Sequence, residues 1–142
     1  DSHINVTRRG HAYEQLRTSI RNVMRHWESH ANLFRSLTQM ALAREDFYEM
    51  DRENRMRYIE QIQADLDSSI ARGRAHPIDP AVAAKALAAM MDWFCLLWFG
   101  MNEAPYEHAN EPAQIDHIAD HVALLWYRAI YAEDPHKEAT AK

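Results

Sequence analysis

The chain is short of the features that usually announce a chemistry. One cysteine in 142 residues, Cys95, allows no disulfide within the chain. That removes the stapled extracellular scaffolds and makes a cytoplasmic location the expectation. Positive charge is scarce as well: 16 Lys and Arg against 21 Asp and Glu give a net charge of −5. A nucleic-acid surface needs a basic face, so direct DNA binding by these residues is not expected. Three glycines leave no phosphate-cradling loop and no nucleophile elbow. Cys95 lies in an apolar run, where a thiol stays protonated and inert. No enzyme and no cofactor are expected on these grounds. The opening "DSHINVTRRG" has no apolar core of a signal peptide. The most apolar run, extended back to Ala86, still carries Asp92 and is closed by Lys85. It falls short of the roughly 20 residues of a membrane span, so no membrane is expected.

Strand signals are equally thin, with no Asn-Gly or Asp-Gly hairpin dipeptide. What the chain does have is helical spacing. Tyr13, Leu16, Ile20, Val23 and Trp27 recur at alternating steps of three and four and predict a first helix. Leu33, Phe34, Leu37, Met40 and Ala41 share a face of a short second one. A third begins near Asp46, with Met56, Ile59, Ile62, Leu66 and Ile70 as its seam. It stops at "RGRAHPIDP", where Gly73 suits a left-handed cap and Pro77 forbids continuation. Asp79-Pro80 is a helix start, a capping oxygen before proline at the first helical position. The fourth helix is expected from Pro80 to about Glu103. A fifth opens at Asn110 or Glu111 and lasts to about Ala132, before a fraying tail, "HKEATAK". The expectation is one all-α domain of five helices over 1–142.

Residues 90–101, "MMDWFCLLWFGM", hold a single charge, Asp92. On the fourth helix, Leu87, Met90, Phe94, Leu97 and Met101 fall on one side, with Met91, Trp98 and Asn102 next to them. Ala88, Cys95, Leu96 and Phe99 fall on the side that carries Lys85 and Asp92. The fifth helix repeats this: Ile115, Ile118, Val122, Leu125, Trp126 and Ala129 point in, while Leu124, Tyr127 and Tyr131 lie near the back with His117, His121 and Arg128. A helix apolar all round needs cover on both faces. A two-fold pair of these helices would bury Cys95, Leu96, Phe99, Leu124, Tyr127 and His121 in a four-helix seam, so a homodimer is expected. The inward side collects Met24, Trp27, Phe34, Met40, Met56, Met90, Met91, Phe94 and Trp98. Methionine and large aromatics suit a filled core or an adaptable binding surface. Composition leaves both open.

The order of elements narrows this. "HWESHANLFRSLTQMAL" sets a His-bounded break before a short helix, and a long helix then ends in "SIARGRAHPIDPAVAAKALAAMMDWF". Together they resemble the C-terminal regulatory domain of TetR-family transcriptional regulators, over about Ala12 to Ala132. The family's N-terminal helix-turn-helix has no counterpart here, since "DSHINVTRRG" is too short to hold it. The resemblance implies the ligand-binding and dimerising part of a bacterial repressor, reaching operator DNA only through that missing head. It implies that the last two helices form the dimer bundle and that the earlier helices and the fourth enclose an inducer pocket. Trp27, Phe34, Met40, Met90, Phe94, Trp98 and Asn102, with Met24, Met56 and Met91, would then line a cavity for a mostly apolar small molecule. Arg21, Arg25 and Arg35 could meet an acidic head group at its mouth.

Two histidine pairs offer rival chemistry. His26 and His30, and His117 and His121, are each four apart, a spacing compatible with a metal. Neither has the Glu of a "HExxH" motif, and the inward stripes are too apolar for a di-metal carboxylate centre. A His-based metal site and a purely structural dimer without ligand stay as alternatives; no metal is expected.

Overall fold

The computed structural model describes the backbone of residues 2–105, 107 and 111–131, with side chains from Ala12 onward. The fold is all-α, with five helices: α1 (Ser2–Ser29), α2 (Ala31–Ala43), α3 (Glu45–Ala71), α4 (Pro80–Cys95) and α5 (Pro112–Ile130). A π-helical turn, Leu96–Gly100, extends α4 without a break. The expected tail 136–142 lies outside the described residues; the fifth helix, expected to last to about Ala132, ends at Ile130, with Tyr131 extended as its cap.

The local signals act as their chemistry dictates. Asp79 caps α4, its carboxylate accepting from the Ala81 and Val82 N–H groups at 3.0 and 3.3 Å, with Pro80 at the first position. Gly73 ends α3 with φ +69°. Around it Arg74 N–H reaches the Ser69 carbonyl and Gly73 N–H that of Ile70, which pairs two otherwise open carbonyls. Arg44, in extended conformation, is at once the C-cap of α2 and the N-cap of α3. The negative first turn of α3, Glu45 and Asp46, suits the helix dipole. His76 N–H donates to the Ile130 carbonyl at 2.8 Å, and a lone antiparallel bridge joins Ala75 to Tyr131. The loop before α4 is thereby tied to the far end of α5.

In packing, α1 lies chiefly against α5, α4 against α3, and α2 against α3 and the π turn; α4 and α5 touch each other little. The buried face of α4 is Ala84, Ala88, Met91 and Cys95, and that of α5 includes Ala119, Ala123, Trp126 and Tyr127. The α4 face is turned from the one expected; on α5 Ile115, Ile118 and Trp126 are buried as expected, but the face is shifted toward Ala119, Ala123 and Tyr127. The alanines Ala84, Ala88, Ala119 and Ala123 have no exposed surface, and the bulkier Leu87, Met90, Phe94 and Trp98 pack half-buried against the core. On α5 the same rotation brings Tyr127 inward, edge-on to Tyr13 at 5.2 Å, and leaves Leu125 61% exposed.

This rotation corrects the expected subunit face. Cys95, Leu96, Phe99 and Tyr127 are buried within the single chain and are not free to meet a partner. Leu124 is half-buried and His121 exposed. The outward apolar residues of these helices are instead Val82 and Trp93 on α4 and Leu125 on α5. The π turn contributes to the change. Met101 N–H bonds the Leu96 carbonyl five residues back, and Glu103 N–H that of Leu97 six back. The wider turn delays the rotation of each later residue and keeps Leu96, Phe99 and Gly100 on the buried side.

A second correction concerns length. Pro80–Gly100 is one continuous helix of 21 residues, with an 18-residue stretch of mean hydropathy 1.5. By length and composition alone it matches a membrane span, despite Lys85 and Asp92. In the fold its alanine face belongs to the common core.

Candidate functional site

The end of α1, the start of α2 and the π turn converge at Gly100. Its Cα faces the Trp27 indole and the Arg35 Cβ so closely that a Cβ there would stand 4.0 and 3.9 Å from them, and 3.2 Å from Leu96 Cδ1. At this junction stands the half-buried Trp27 ring with Phe34 beside it, and a second half-buried pair, Phe94 and Trp98, lies on α4 and the π turn. Trp27 and Phe34 are 4.5 Å apart across the α1–α2 elbow, and Phe94 and Trp98 stack at 5.0 Å one turn apart on α4 and the π turn. Met40 and Met90 are half-buried too. Of the ten residues expected to line a pocket, these six retain surface that a ligand could cover.

Of the other four, two do not fit that role. Met24 and Met91 are fully buried members of the core, with no surface left to offer. Met56 is 38% exposed on the outer side of α3. Asn102 is exposed, just past the π turn, with φ +54°, a left-handed conformation that asparagine tolerates better than most residues.

Among the three arginines expected at a pocket mouth, two are committed elsewhere. Arg17, Arg21 and Arg25 recur every fourth residue of α1, and Asp116 and Asp120 are four apart on α5. Arg17 Nε and Arg21 Nη2 reach Asp120 Oδ1 at 2.9 and 3.2 Å; Arg21 Nε and Arg25 Nη2 reach Asp116 Oδ1 at 3.3 and 2.7 Å. The sequence carried this ladder in its matched four-residue repeats, which the apolar stripes obscured. Arg35 differs. It donates to the Gly100 carbonyl and to Asn32 Oδ1, both at 3.4 Å.

Burial alone would raise the Asp120 carboxyl. The hydrogen bonds and charges of Arg17 and Arg21 outweigh it and hold the group below the usual carboxylate range. A folded value below the unfolded one means stability that is present above the ordinary carboxylate pKa of about 4 and is lost as pH falls through the folded value. Each part-exposed pair contributes about 0.2–1 kcal/mol. Asp120→Asn should therefore lower the melting temperature at neutral pH, and the gap to the parent should close on acidification below about pH 4. Circular-dichroism melts across pH 2–7 read this directly, and a gap independent of pH would deny the ladder an electrostatic role.

The histidine pairs remain simple pairs. His26 and His30 are 4.7 Å apart, ring to ring, with Phe34 edge-on to both, and His30 Nδ1 donates to the His26 carbonyl at 3.1 Å. His117 and His121 are 4.5 Å apart on the outer side of α5. Among the described residues no third His, Cys, Asp or Glu joins either pair into a metal-holding group.

A family model, described as the tetracyclin repressor-like C-terminal domain, matches residues 9–102, from within α1 to just past the π turn. The chain belongs to this TetR family. No curated protein and no solved structure matches it. The TetR match covers every element that meets at Gly100, and the all-α fold agrees with it. A C-terminal domain of this family is the regulatory part of a regulator, which binds ligand and dimerises. The helix α5 lies beyond the matched residues and joins the TetR core through the arginine ladder and the Tyr13–Tyr127 contact.

Proposed function

We propose that this chain is the sensor and dimerisation domain of a cytoplasmic bacterial TetR-type repressor, and that it carries no catalytic activity. Its ligand is a largely apolar small molecule that lies along Trp27, Phe34, Met90, Phe94 and Trp98. The observation that carries this reading is two half-buried ring pairs, Trp27–Phe34 and Phe94–Trp98, inside the stretch matched by the family. Fully buried rings would be ordinary core; these are half-buried, as is Met90, and methionine adapts to varied shapes. Operator DNA is contacted by a separate DNA-reading head, in keeping with the net charge of −5.

The second half of the proposal is a homodimer through the outer faces of α4 and α5. Val82 and Trp93, with Leu125 on α5, are large apolar side chains left facing water. A ligand that favours one setting of α4 would change the placement of the two subunits and hence the spacing of two recognition helices. By linkage, DNA and ligand would weaken each other's binding by the same factor.

Native mass spectrometry of the purified chain tests both halves. The expected spectrum is a dimer, with additional mass from carried-over ligand. Met90→Trp should keep the fold and the dimer but remove uptake of a hydrophobic fluorescent probe such as anilinonaphthalene sulfonate, because the indole fills the space. A folded Met90→Trp that still takes up probe as the parent does would place the ligand elsewhere.

A further inference from the structure

Arg35 stands apart from the other cations of its region. Among the described arginines of α1 and α2, Arg17, Arg21 and Arg25 each hold a carboxylate of α5 at 2.7–3.3 Å. Arg35 has no carboxylate partner among the described residues. Its two hydrogen bonds go to neutral oxygens at 3.4 Å, the long end of the range, and its side chain is exposed. Its Cβ and the Trp27 indole both face Gly100, so the guanidinium is rooted beside the Trp27–Phe34 pair. A guanidinium in such a place offers several unfilled or weakly filled donors in a planar fork that matches a carboxylate.

We propose that the ligand is an amphipathic anion: an apolar body along Trp27, Phe34, Phe94 and Trp98, and one carboxylate received by Arg35. This deepens the sensor reading and rests on it. Binding would exchange the two long bonds of Arg35 for a charge-assisted pair and release the Gly100 carbonyl. That carbonyl belongs to the π turn, so the acidic group would act on the segment that joins α4 to the residues beyond it.

The test uses three probes by isothermal calorimetry on the intact chain: decanoate, 1-decanol and acetate. Decanoate should bind at least about tenfold more tightly than decanol, and acetate should not bind, because the body supplies the affinity and the charge the preference. Arg35→Gln should abolish the preference while leaving decanol binding unchanged; Arg35→Lys should keep part of it, as a point charge without the planar fork. Arg35 is exposed, so both variants should fold. Equal binding of decanoate and decanol, unaltered in Arg35→Gln, would overturn the anion and leave the apolar pocket standing. Binding of neither, with no extra mass on the purified chain, would overturn the pocket and this inference with it.

Discussion

Phe99→Asp should yield a chain that does not fold. The ring is 3% exposed inside a single subunit. Removing a buried phenylalanine costs about 3–5 kcal/mol. Leaving a carboxylate there without a partner adds several more, about 3–5 kcal/mol by analogy with broken buried pairs. Together these rival the whole stability of a domain, about 5–15 kcal/mol. Trp93→Asp, six residues earlier on the outer side of α4, should have the opposite character. The helix should persist, with far-ultraviolet circular dichroism and melting close to the parent, while sedimentation shows monomers where the parent is dimeric. A folded, monomeric Phe99→Asp would instead restore this ring to a subunit seam.

The contrast between these two residues measures what could be read from the sequence. Helix ends were legible because they are written in local chemistry: Asp79-Pro80, Gly73 and Pro112 act on their immediate neighbours. So were the seams of α1 and α3, where Ile20, Ile59 and Leu66 are buried as read; the face of α4 and part of that of α5 were not, for a common reason. An apolar stripe weights large side chains, and the closest helix contacts are made by small ones. Ala84 and Ala88 on α4, and Ala119 and Ala123 on α5, are wholly buried and define the true inward directions. Leu125, which looked like core, was turned out by them. The candidate site was legible in part. Trp27, Phe34, Phe94 and Trp98 were read as sharing an inward side and do cluster in pairs. The approach of Trp27 and Arg35 to Gly100, and the separation of Arg35 from Arg21 and Arg25, depend on the α1–α2 elbow and on α5, which no spacing rule fixes.

Cys95 should react with thiol reagents about a thousandfold more slowly in the native chain than in the unfolded one at pH 8. Burial, aided by the negative charge of Asp92, pushes its thiol from an ordinary value near 9 up to about 12. The thiolate is the reactive form, and a rise of that size lowers its population by about three powers of ten. Exclusion of the reagent by packing adds to this, since the residue has no exposed surface. The raised thiol also has a consequence for alkaline stability. The folded value lies above the unfolded one, so the contribution is fully present below about pH 9 and declines as pH rises toward 12, by about 1.4 kcal/mol per pH unit. Tyr58, raised by its own burial and then by Asp92 and Cys95, acts in the same sense at slightly higher pH. Cys95→Ala should flatten the alkaline limb of the stability curve, measured by urea unfolding between pH 8 and 11. Native labelling at the unfolded rate would show that the α3–α4 contact opens freely.

The arginine ladder between α1 and α5 has a vernier quality. Cations repeat every four residues on one helix and anions every four on the other, so three rungs face two. Sliding α5 by one turn, about 5.4 Å, would bring Asp120 opposite Arg21 and Arg25, or Asp116 opposite Arg17 and Arg21, with much of the pairing preserved. The charges therefore hold the two helices together without dictating their alignment. Alignment falls to the shape-bound contacts, Tyr13 against Tyr127 and the close-set Ala119 and Ala123. An assembly made in this way has a ready step size: disturb the tyrosines, and the electrostatics already accommodate the next notch.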